Sequence, residues 1–393
     1  MRNRRADLCG PYFLIIIILS SLILATFSLL LPQAASAQPM PDWKERWEKI
    51  LSAAKKEGKV VVWGPPGAVG NALSQSFKNA FPDIDIEYSG ASGRDQATKL
   101  RAERDGGVYS VDVIISGTTT AIGRIKGIKA ADPIKPALIL PEVADLKHWM
   151  ENRFQFADTE GLYNLVFINQ LWPVVTYNLK EVKPDEIDEL YKLLNPKWAG
   201  KIVINDPMLG GSGHVTFQWL WRVLGADKAK DYYKKLRAQA GAVDQDIRRM
   251  VEWVAQGKYA MLVSSTGLEN QLLQRGLKFG LLPEFKDYGG YTSPAFGSLS
   301  LINRAPHSNA AKVFLNWLLG KEGQMAWSKV MGEPSRRLDV PTDHVPSYRI
   351  PKPGGKYWTS DYKPGDRYWV SYLEDNVVRS PEEDKAVKEL FGK

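Results

Sequence analysis

The chain has 393 residues, a formal net charge of +8 and one cysteine, Cys9. A chain of this length favours two domains over one small core. The mild positive excess is spread along the chain and forms no basic stripe, so we expect no nucleic-acid partner. One cysteine excludes a disulfide framework.

The first 37 residues have the pattern of a secretory signal peptide. Three arginines precede an apolar run from Phe13 to Leu31, and the small-residue segment "AASA" follows it. The run is long enough to span a bilayer, so an uncleaved membrane anchor is the alternative. We expect cleavage near Ala37, export to the periplasm and loss of Cys9 from the mature chain.

Strands and helices alternate in the first part of the mature chain, after an amphipathic helix over residues 42–58. Apolar periodicity predicts strands at Val60–Trp63, Ile84–Tyr88 and Val111–Ile115. It predicts helices near residues 69–81, 94–104 and 118–126. This alternation indicates an α/β fold with a parallel sheet that helices cover on both faces.

A second series follows the segment "WPVVTYN". Strands are predicted at "GKIVIND", "KYAMLVS", "LKFGLLPE" and "FGSLSLIN". Helices are predicted at Asp185–Leu194, Val215–Leu224, Asp227–Gln239, Ile247–Gln256 and Leu268–Arg275, with two more in the segment from Ser308 to Gly332. From about Pro341 the chain becomes rich in Pro, Tyr, Trp and charge. We interpret this part as an extended tail that wraps one domain and ends in a short helix.

The glycine-rich loop "GPPGAVG" after the first strand resembles the start of a nucleotide site. Its glycines, Gly64, Gly67 and Gly70, have the spacing G-x-x-G-x-x-G, whereas the dinucleotide fingerprint is G-x-G-x-x-G. A second loop, "GGSGHVTF", lacks the Gly-Lys-Ser/Thr of a phosphate-binding loop. We therefore expect no nucleotide and no other cofactor.

Five strands end in small polar residues at the start of a helix. Ligands of open α/β sheets bind at the carboxyl ends of strands, and helix N-termini favour anions. Ordinary capping explains any one loop, whereas five together favour a ligand cleft. The residues predicted to bind the ligand are Gly64, Pro66, Gly67, Ser92, Arg94, Ser116, Thr118, Tyr177, Ser212, His214, Ser265 and Thr266.

Few residues suggest catalysis. The four histidines are scattered without metal-ligand spacing, and only His214 falls in a candidate ligand loop. The nucleophile motif G-x-S-x-G is absent from the sequence. We expect neither an enzyme nor a metal site.

Six segments carry a family resemblance over residues 43–340. They are "YSGASGRDQATKLRAERDGGVYSVDVIISG", "VVTYN", "LLNPKWAGKIVINDP", "QGKYAML", "INRAPHSNAAKVFLNWLLGKEGQ" and "PSRRLDVP". In their order and spacing they resemble the family 1 extracellular solute-binding proteins of ABC importers, near the ferric-iron-binding branch.

The resemblance implies a type 2 periplasmic binding fold, in which two α/β lobes joined by two crossover strands close over a ligand. The crossings are expected near Val174–Asn178 and Glu284–Ala295. The expected division is a signal peptide at 1–37, lobe 1 at 38–175 and 291–345, lobe 2 at 176–290 and a tail at 346–393.

One departure from the ferric-binding branch concerns iron. Those relatives carry an adjacent tyrosine pair after the strand that here reads "YAMLVS", whereas this chain continues "SSTGLENQLL". The pair Tyr232-Tyr233 falls earlier, inside a predicted helix. The resemblance therefore does not extend to iron specificity.

The sequence thus predicts a periplasmic receptor. It would be a monomer that captures a small polar, anionic solute in the interlobe cleft and delivers it to an inner-membrane ABC permease. A metal or metal-chelate receptor is the alternative within the family. A periplasmic enzyme and a ligand-sensing partner of a membrane receptor are the alternatives of other classes.

Overall fold

A computed structural model describes residues 43–208, 211–264 and 269–392. The predicted signal peptide and the predicted ligand residues Ser265 and Thr266 lie outside the described residues. No helix within the described ranges is long and apolar enough to cross a membrane.

The elements are numbered in chain order. The strands are β1 (Lys59–Gly64), β2 (Asp85–Gly90), β3 (Val113–Ser116), β4 (Ala131–Asp132), β5 (Gln155–Phe156), β6 (Leu165–Val166), β7 (Gln170–Trp172), β8 (Val175–Tyr177), β9 (Ile202–Asn205), β10 (Ala242–Asp244), β11 (Met261–Val263), β12 (Gly280–Leu282), β13 (Gly290–Ser293), β14 (Ser298–Ile302), β15 (Tyr357–Trp358) and β16 (Tyr368–Val370). The α-helices are α1 (Trp43–Glu57), α2 (Val69–Ala80), α3 (Gly93–Asp105), α4 (Thr118–Thr120), α5 (Pro141–Ala144), α6 (Ser212–Leu224), α7 (Ala226–Gln239), α8 (Ile247–Ala255), α9 (Glu269–Gln274), α10 (Ser308–Leu319), α11 (Lys321–Met331), α12 (Glu374–Val377) and α13 (Pro381–Phe391).

The first sheet has the strand order β2-β1-β3-β14-β6-β5, with β4 paired to β14. Strand β1 runs parallel to β2 and β3, as predicted, but β14 runs antiparallel to β3. The sheet is mixed because β14 belongs to a later part of the chain that returns from the second sheet. Valines of β1 pack with Phe77 of α2 and Phe314 of α10 in the core, which fixes helices against the sheet.

The second sheet has the order β10-β9-β11-β8-β12. Strand β9 is parallel to β10 and β11, whereas β8 is antiparallel to β11 and β12. Its strands pack on a separate aromatic core that includes Phe217, Trp219 and Tyr233. Each of the two larger sheets therefore has its own apolar core.

The chain passes between these sheets twice, through β7 and β13. These strands pair antiparallel, with Trp172 opposite Tyr291 and Gln170 opposite Ser293. The second crossing lies within the predicted range. The first lies earlier than predicted, because the segment at Val174–Asn178 forms β8 and pairs within the second sheet. The residue boundaries of the lobes stay predictions.

The helix predicted at Asp185–Leu194 is wrong as a continuous α-helix. The segment forms two 3₁₀ turns, Pro184–Glu186 and Leu190–Leu194. The backbone N–H of Leu190 donates to the carboxylate of Asp287 at 3.2 Å, so it does not continue a helical ladder. Long-range hydrogen bonding therefore overrides the helical periodicity here.

The tail, residues 341–392, is more structured than predicted. Strands β15 and β16 extend the pairing of β7 with β13 into a four-stranded sheet of order β15-β16-β13-β7, which we call the crossing sheet. On the side of the first sheet, Lys126 Nζ lies 2.7 Å from the Glu374 carboxylate. On the side of the second sheet, α13 packs on α7. The tail is thus bound to both parts of the fold.

We expect Glu383→Ala to destabilise the protein, because Glu383 anchors α13. Its side chain is fully buried, lies 2.9 Å from Arg222 and accepts a hydrogen bond from the Ser380 N–H at 2.6 Å. Removing one partner of a buried ion pair leaves the other uncompensated, so we expect a loss of about 2–4 kcal/mol in the free energy of unfolding.

Glu382→Ala is the matched control in a urea titration. Its carboxylate is 61% exposed and lies 3.3 Å from Lys230, and exposed pairs contribute about 0–1 kcal/mol. Equal losses in the two variants would contradict the anchoring role of Glu383.

Candidate functional site

A cavity of about 270 Å³ lies where loops of both larger sheets meet the crossing sheet. We call it the cleft cavity. Four parts of the chain form its wall: the loop after β3, the start of α6, the crossing strands with the loop that follows β13, and the tail. Among the described residues, none of its lining side chains is an Asp, Glu, Lys or Arg.

The loop after β3 contributes Gly117, Thr118 and Thr119. Gly117 has extended backbone angles and begins the short helix α4, so the following hydroxyls face the cavity. Ser116 lies just behind this wall. It is fully buried, and its carbonyl accepts a hydrogen bond from the Ser298 hydroxyl at 2.7 Å.

The start of α6 forms the opposite wall with Ser212 and His214. Gly211 precedes the helix with φ of +86°, a conformation that favours glycine. Gly213 packs so closely against strand β9 that a Cβ atom would lie 2.6 Å from the carbonyl oxygen of Asn205. This packing places the first turn of α6 at the cavity wall, and the N–H groups of a first helical turn can bind an anion or a carbonyl oxygen.

His214 is held in its neutral form. Burial, with a smaller contribution from the nearby Arg379 cation, lowers the pKa of His214 to about 4. Its Nδ1 atom is buried without a hydrogen-bond partner among the described residues. A neutral imidazole at the cavity wall carries no charge and has one donor and one acceptor nitrogen.

The crossing strands supply the aromatic part of the wall, Trp172 and Tyr291. The indole Nε1 of Trp172 is buried with no hydrogen-bond partner among the described residues. The Tyr291 hydroxyl lies 2.9 Å from the hydroxyl of Thr216, which in turn lies 3.0 Å from that of Ser264. This chain of hydroxyls connects β13 with α6 and with the end of β11.

Ser264 has an unusual backbone. It follows β11 directly and adopts a φ of +80°, which is strained for a residue other than glycine. Strain of this kind clusters at functional sites. The two residues after Ser264 are the predicted ligand residues Ser265 and Thr266, which lie outside the described ranges. The strained backbone of Ser264 therefore lies directly before the predicted ligand loop.

The tail forms a wall of the cavity through Ser371, Tyr372 and Val377. The Ser371 hydroxyl donates to the carbonyl of Thr292 in β13 at 2.7 Å. The Tyr372 hydroxyl accepts a hydrogen bond from Arg336 at 3.3 Å. Burial raises the pKa of Tyr372 and, likewise, that of Tyr291, so both phenols are protonated at neutral pH.

Several predicted ligand residues lie outside the lining of the cleft cavity. Pro66 and Gly67 are exposed in the loop after β1, and Gly64 leaves room for the ring of Tyr88, whose hydroxyl donates to the carbonyl of Pro65 at 2.8 Å. A Cβ atom on Gly64 would lie 2.2 Å from that hydroxyl. This close approach gives Gly64 a packing role.

Two more predicted residues lie at the start of α3. Ser92 is exposed and caps the helix by accepting from the N–H of Asp95 at 3.3 Å. Arg94 is exposed beside it. Both remain candidates for the rim of the cleft, because β1, β2 and β3 end at the same edge of the first sheet.

Tyr177 belongs to the core of the second sheet. It is 7% exposed, and its ring fills the space beside Gly280, where a Cβ atom would lie 2.1 Å from the ring. Of the predicted residues, Thr118, Ser212 and His214 line the cleft cavity together.

Sequence reasoning missed the aromatic and tail residues of the wall. They are Trp172, Tyr291, Phe296, Tyr372 and Val377. In a sequence, apolar and aromatic residues in short strands indicate a core, and the tail lies outside the segments that carry the family resemblance. Tyr291 falls within the expected second crossing, Glu284–Ala295, whereas Trp172 lies just before the expected first one, Val174–Asn178.

The described residues hold no group of three or more His, Cys, Asp or Glu side chains that could bind a metal ion. A serine–histidine contact within the part of the chain that the structure describes joins Ser328 Oγ and His344 Nε2 at 2.8 Å. Ser328 is fully buried inside α11 and donates to the carbonyl of Glu333 at 2.6 Å. A substrate cannot reach this hydroxyl, so the contact stabilises the structure.

Residues 64–325 match the family described as bacterial extracellular solute-binding protein. A curated relative is an uncharacterised protein of Haemophilus influenzae, which is 24% identical over 291 residues and covers 71% of this chain and 78% of its own length.

Solved structures show the same fold. The periplasmic binding protein AfuA from Actinobacillus pleuropneumoniae, solved with fructose-6-phosphate bound, matches with a TM-score of 0.58 and 17% identity, over 85% of this chain and 97% of its own. A ferric binding protein from Campylobacter jejuni matches with a TM-score of 0.61 and 14% identity, over 84% and 98%. The fold is thus the two-lobe type 2 periplasmic binding fold, with β7 and β13 as its crossover strands.

We expect the stability of the protein to fall below pH 6.5 because of His214. The unfolded chain takes up a proton near pH 6.5, whereas the folded chain does so near pH 4, so stability present above pH 6.5 is lost as the pH falls towards 4. Between pH 7.5 and 4.5 this difference corresponds to about 2 kcal/mol.

Urea titrations of wild type and His214→Gln at both pH values measure this contribution. Every other acid-titrating group is common to the two proteins, so the difference isolates His214. An identical loss in both proteins would contradict a buried neutral imidazole.

Proposed function

Because the chain belongs to the bacterial extracellular solute-binding protein family, we propose that it is a periplasmic receptor. In this proposal it captures a small polar solute in the cleft cavity and delivers it, as a monomer, to an inner-membrane ABC permease. The observation that carries the proposal is a cavity with walls from both larger sheets and from the strands between them. Such a site closes when the lobes rotate about the crossings.

An anionic group on the solute is supported by the start of α6. This helix has 13 residues, and its first turn lines the cavity with Ser212 and His214. Free N–H groups and the helix dipole favour a negative charge at that position. The rest of the described lining is uncharged, so a solute with a single acidic group and a neutral body fits best.

The body of such a solute would contact aromatic rings and hydroxyls. Trp172 and Phe296 offer apolar surface, whereas Thr118, Thr119 and Ser293 offer hydrogen bonds. Small-molecule sites typically combine an apolar lining with a few polar groups that fix orientation. This composition suits a ring or chain with hydroxyl or carbonyl groups.

Binding without catalysis is supported by the chemistry of the lining. Among the described lining residues, the one titratable base is His214, and no hydrogen bond joins it to a serine or threonine hydroxyl. A nucleophile needs such a base within hydrogen-bond reach. We therefore favour a receptor over a periplasmic enzyme. We also propose that the signal peptide is cleaved near Ala37.

We expect protein purified without denaturation to carry its solute, which native mass spectrometry identifies. With that solute, Thr118→Ala and Ser212→Ala should each weaken binding roughly tenfold or more, because each removes a hydrogen bond to a polar or charged group. Calorimetry measures the affinities.

Thr98→Ala is the control for these variants. Thr98 is an exposed threonine on α3 whose hydroxyl donates to the carbonyl of Arg94 at 2.9 Å. Wild-type affinity in both cleft variants would refute the proposed site. Weakening by one variant alone would indicate that the solute sits on one wall.

We expect no visible phenolate-to-iron absorption band when Fe(III) is added. The described cavity offers Tyr291 and Tyr372, whose pKa values burial raises, and the pair Tyr232-Tyr233 is buried in the core of the second sheet. A band that disappears in Tyr291→Phe or Tyr372→Phe would establish the metal-receptor alternative.

A further inference from the structure

Arg336 is a buried cation whose charge is poorly compensated. Its side chain is 3% exposed, and its Nη1 donates to the Tyr372 hydroxyl at 3.3 Å. Its Nε and Nη2 atoms are buried without a hydrogen-bond partner among the described residues. A buried charge is costly unless hydrogen bonds and an opposite charge compensate it.

The nearest carboxylate is already engaged. Glu151 Oε2 lies 3.6 Å from Arg336 Nη2, beyond hydrogen-bond distance, whereas Nη2 and Nε of Arg153 donate to the same oxygen at 2.8 and 3.1 Å. Two guanidinium groups therefore face one carboxylate, and the local balance is one positive charge.

The next residue in the chain, Arg337, shows what the edge formed by the Nε and Nη2 atoms of a guanidinium binds. Arg337 is 2% exposed, and its Nε and Nη2 donate to the two oxygens of Asp339 at 2.9 and 2.8 Å. Its Nη1 donates to two backbone carbonyls, those of Glu142 and Leu319. Adjacent arginines with similar burial thus differ in one respect: Arg337 has a bidentate acceptor and Arg336 has none.

A space of about 90 Å³ lies beside Arg336. We call it the Arg336 pocket. Glu151, Arg153, Tyr357 and Tyr372 contribute to its lining, and Asn169 donates to the Tyr357 hydroxyl at 3.1 Å. The tail covers the pocket, and Tyr372 separates it from the cleft cavity, since this residue lines both.

We propose that the Arg336 pocket is a binding site for a small oxoanion, a carboxylate or phosphate group. Nε and Nη2 of Arg336 are fully buried in this conformation, so the anion would reach them when the exposed Glu151–Arg153 pair moves aside. The two atoms would then donate to two of its oxygens, in the geometry that Arg337 already forms with Asp339. The anion would neutralise the excess charge. It comes either from solution or from an acidic group of a solute that reaches past Tyr372, and the site does not depend on the proposed transport function.

Inorganic phosphate is the probe. Calorimetry on the full mature chain at constant ionic strength should show saturable binding. Each charge-assisted hydrogen bond is worth about tenfold or more in affinity, so Arg336→Met should lose phosphate binding by at least tenfold. Arg336→Lys keeps the positive charge but lacks the paired Nε and Nη2 donors, so it should retain an intermediate phosphate affinity. This variant tests the proposal if Arg336→Met does not fold.

Arg337→Met is the matched control. It removes an equally buried arginine that already has its partners, so phosphate affinity should stay at the wild-type value in the folded protein. The same loss in both variants, unchanged binding in Arg336→Met, or no saturable binding of phosphate or acetate by wild type at millimolar concentration would each overturn the proposal.

Competition distinguishes the two sources of the anion. Once the co-purified solute is known, its titration with and without phosphate shows whether the two exclude each other. Exclusion indicates that an acidic group of the solute occupies the pocket, and independent binding indicates a separate anion. If the proposed transport function is refuted but phosphate still binds at Arg336, the oxoanion site is supported independently of that function.

Discussion

The pairing of β7 with β13 is the contact on which the cleft depends. Each larger sheet has its own apolar core, and the chain joins the sheets through these two short strands. Their antiparallel register places Trp172 opposite Tyr291, so the connection between the lobes is also an aromatic wall of the cavity. A rotation of the lobes that moves these strands must therefore change the shape of the binding site.

The tail adds a second constraint on the same strands. It pairs β16 with β13 and places Tyr372 in the cavity wall, while Glu374 and Glu383 hold its two helices on opposite sides of the cleft. The family match ends at residue 325, before the tail begins. A segment outside the family match thus shapes both the cleft and the pocket behind it.

Local periodicity was sufficient for most strands and helices of both series, but not for elements that depend on remote contacts, nor for the helix predicted near residues 118–126, which breaks into a short α-helix, a π-helix and a 3₁₀ turn. The segment at Asp185–Leu194 has helical periodicity, yet the N–H of Leu190 donates to Asp287, 97 residues away. Likewise β15 and β16 are too short to be recognised without their partner β13. The site was predicted where a polar loop follows a strand, at Thr118, and missed where aromatic residues such as Trp172 have the pattern of a core.

Charge is distributed unusually around the cleft. The described lining has no Asp, Glu, Lys or Arg side chain, burial lowers the pKa of His214 to about 4, and the phenols of Tyr291 and Tyr372 are protonated at neutral pH. The fixed positive polarity beside this cavity comes from the start of α6 and from the nearby Arg379 cation. Arg336, the nearest buried cation beyond Tyr372, is separated from the cavity by one side chain. Because buried charges interact strongly at low dielectric, the charge of Arg336 adds to the potential in the cavity. Selectivity for an acidic solute would then depend on Arg336 as well as on the start of α6.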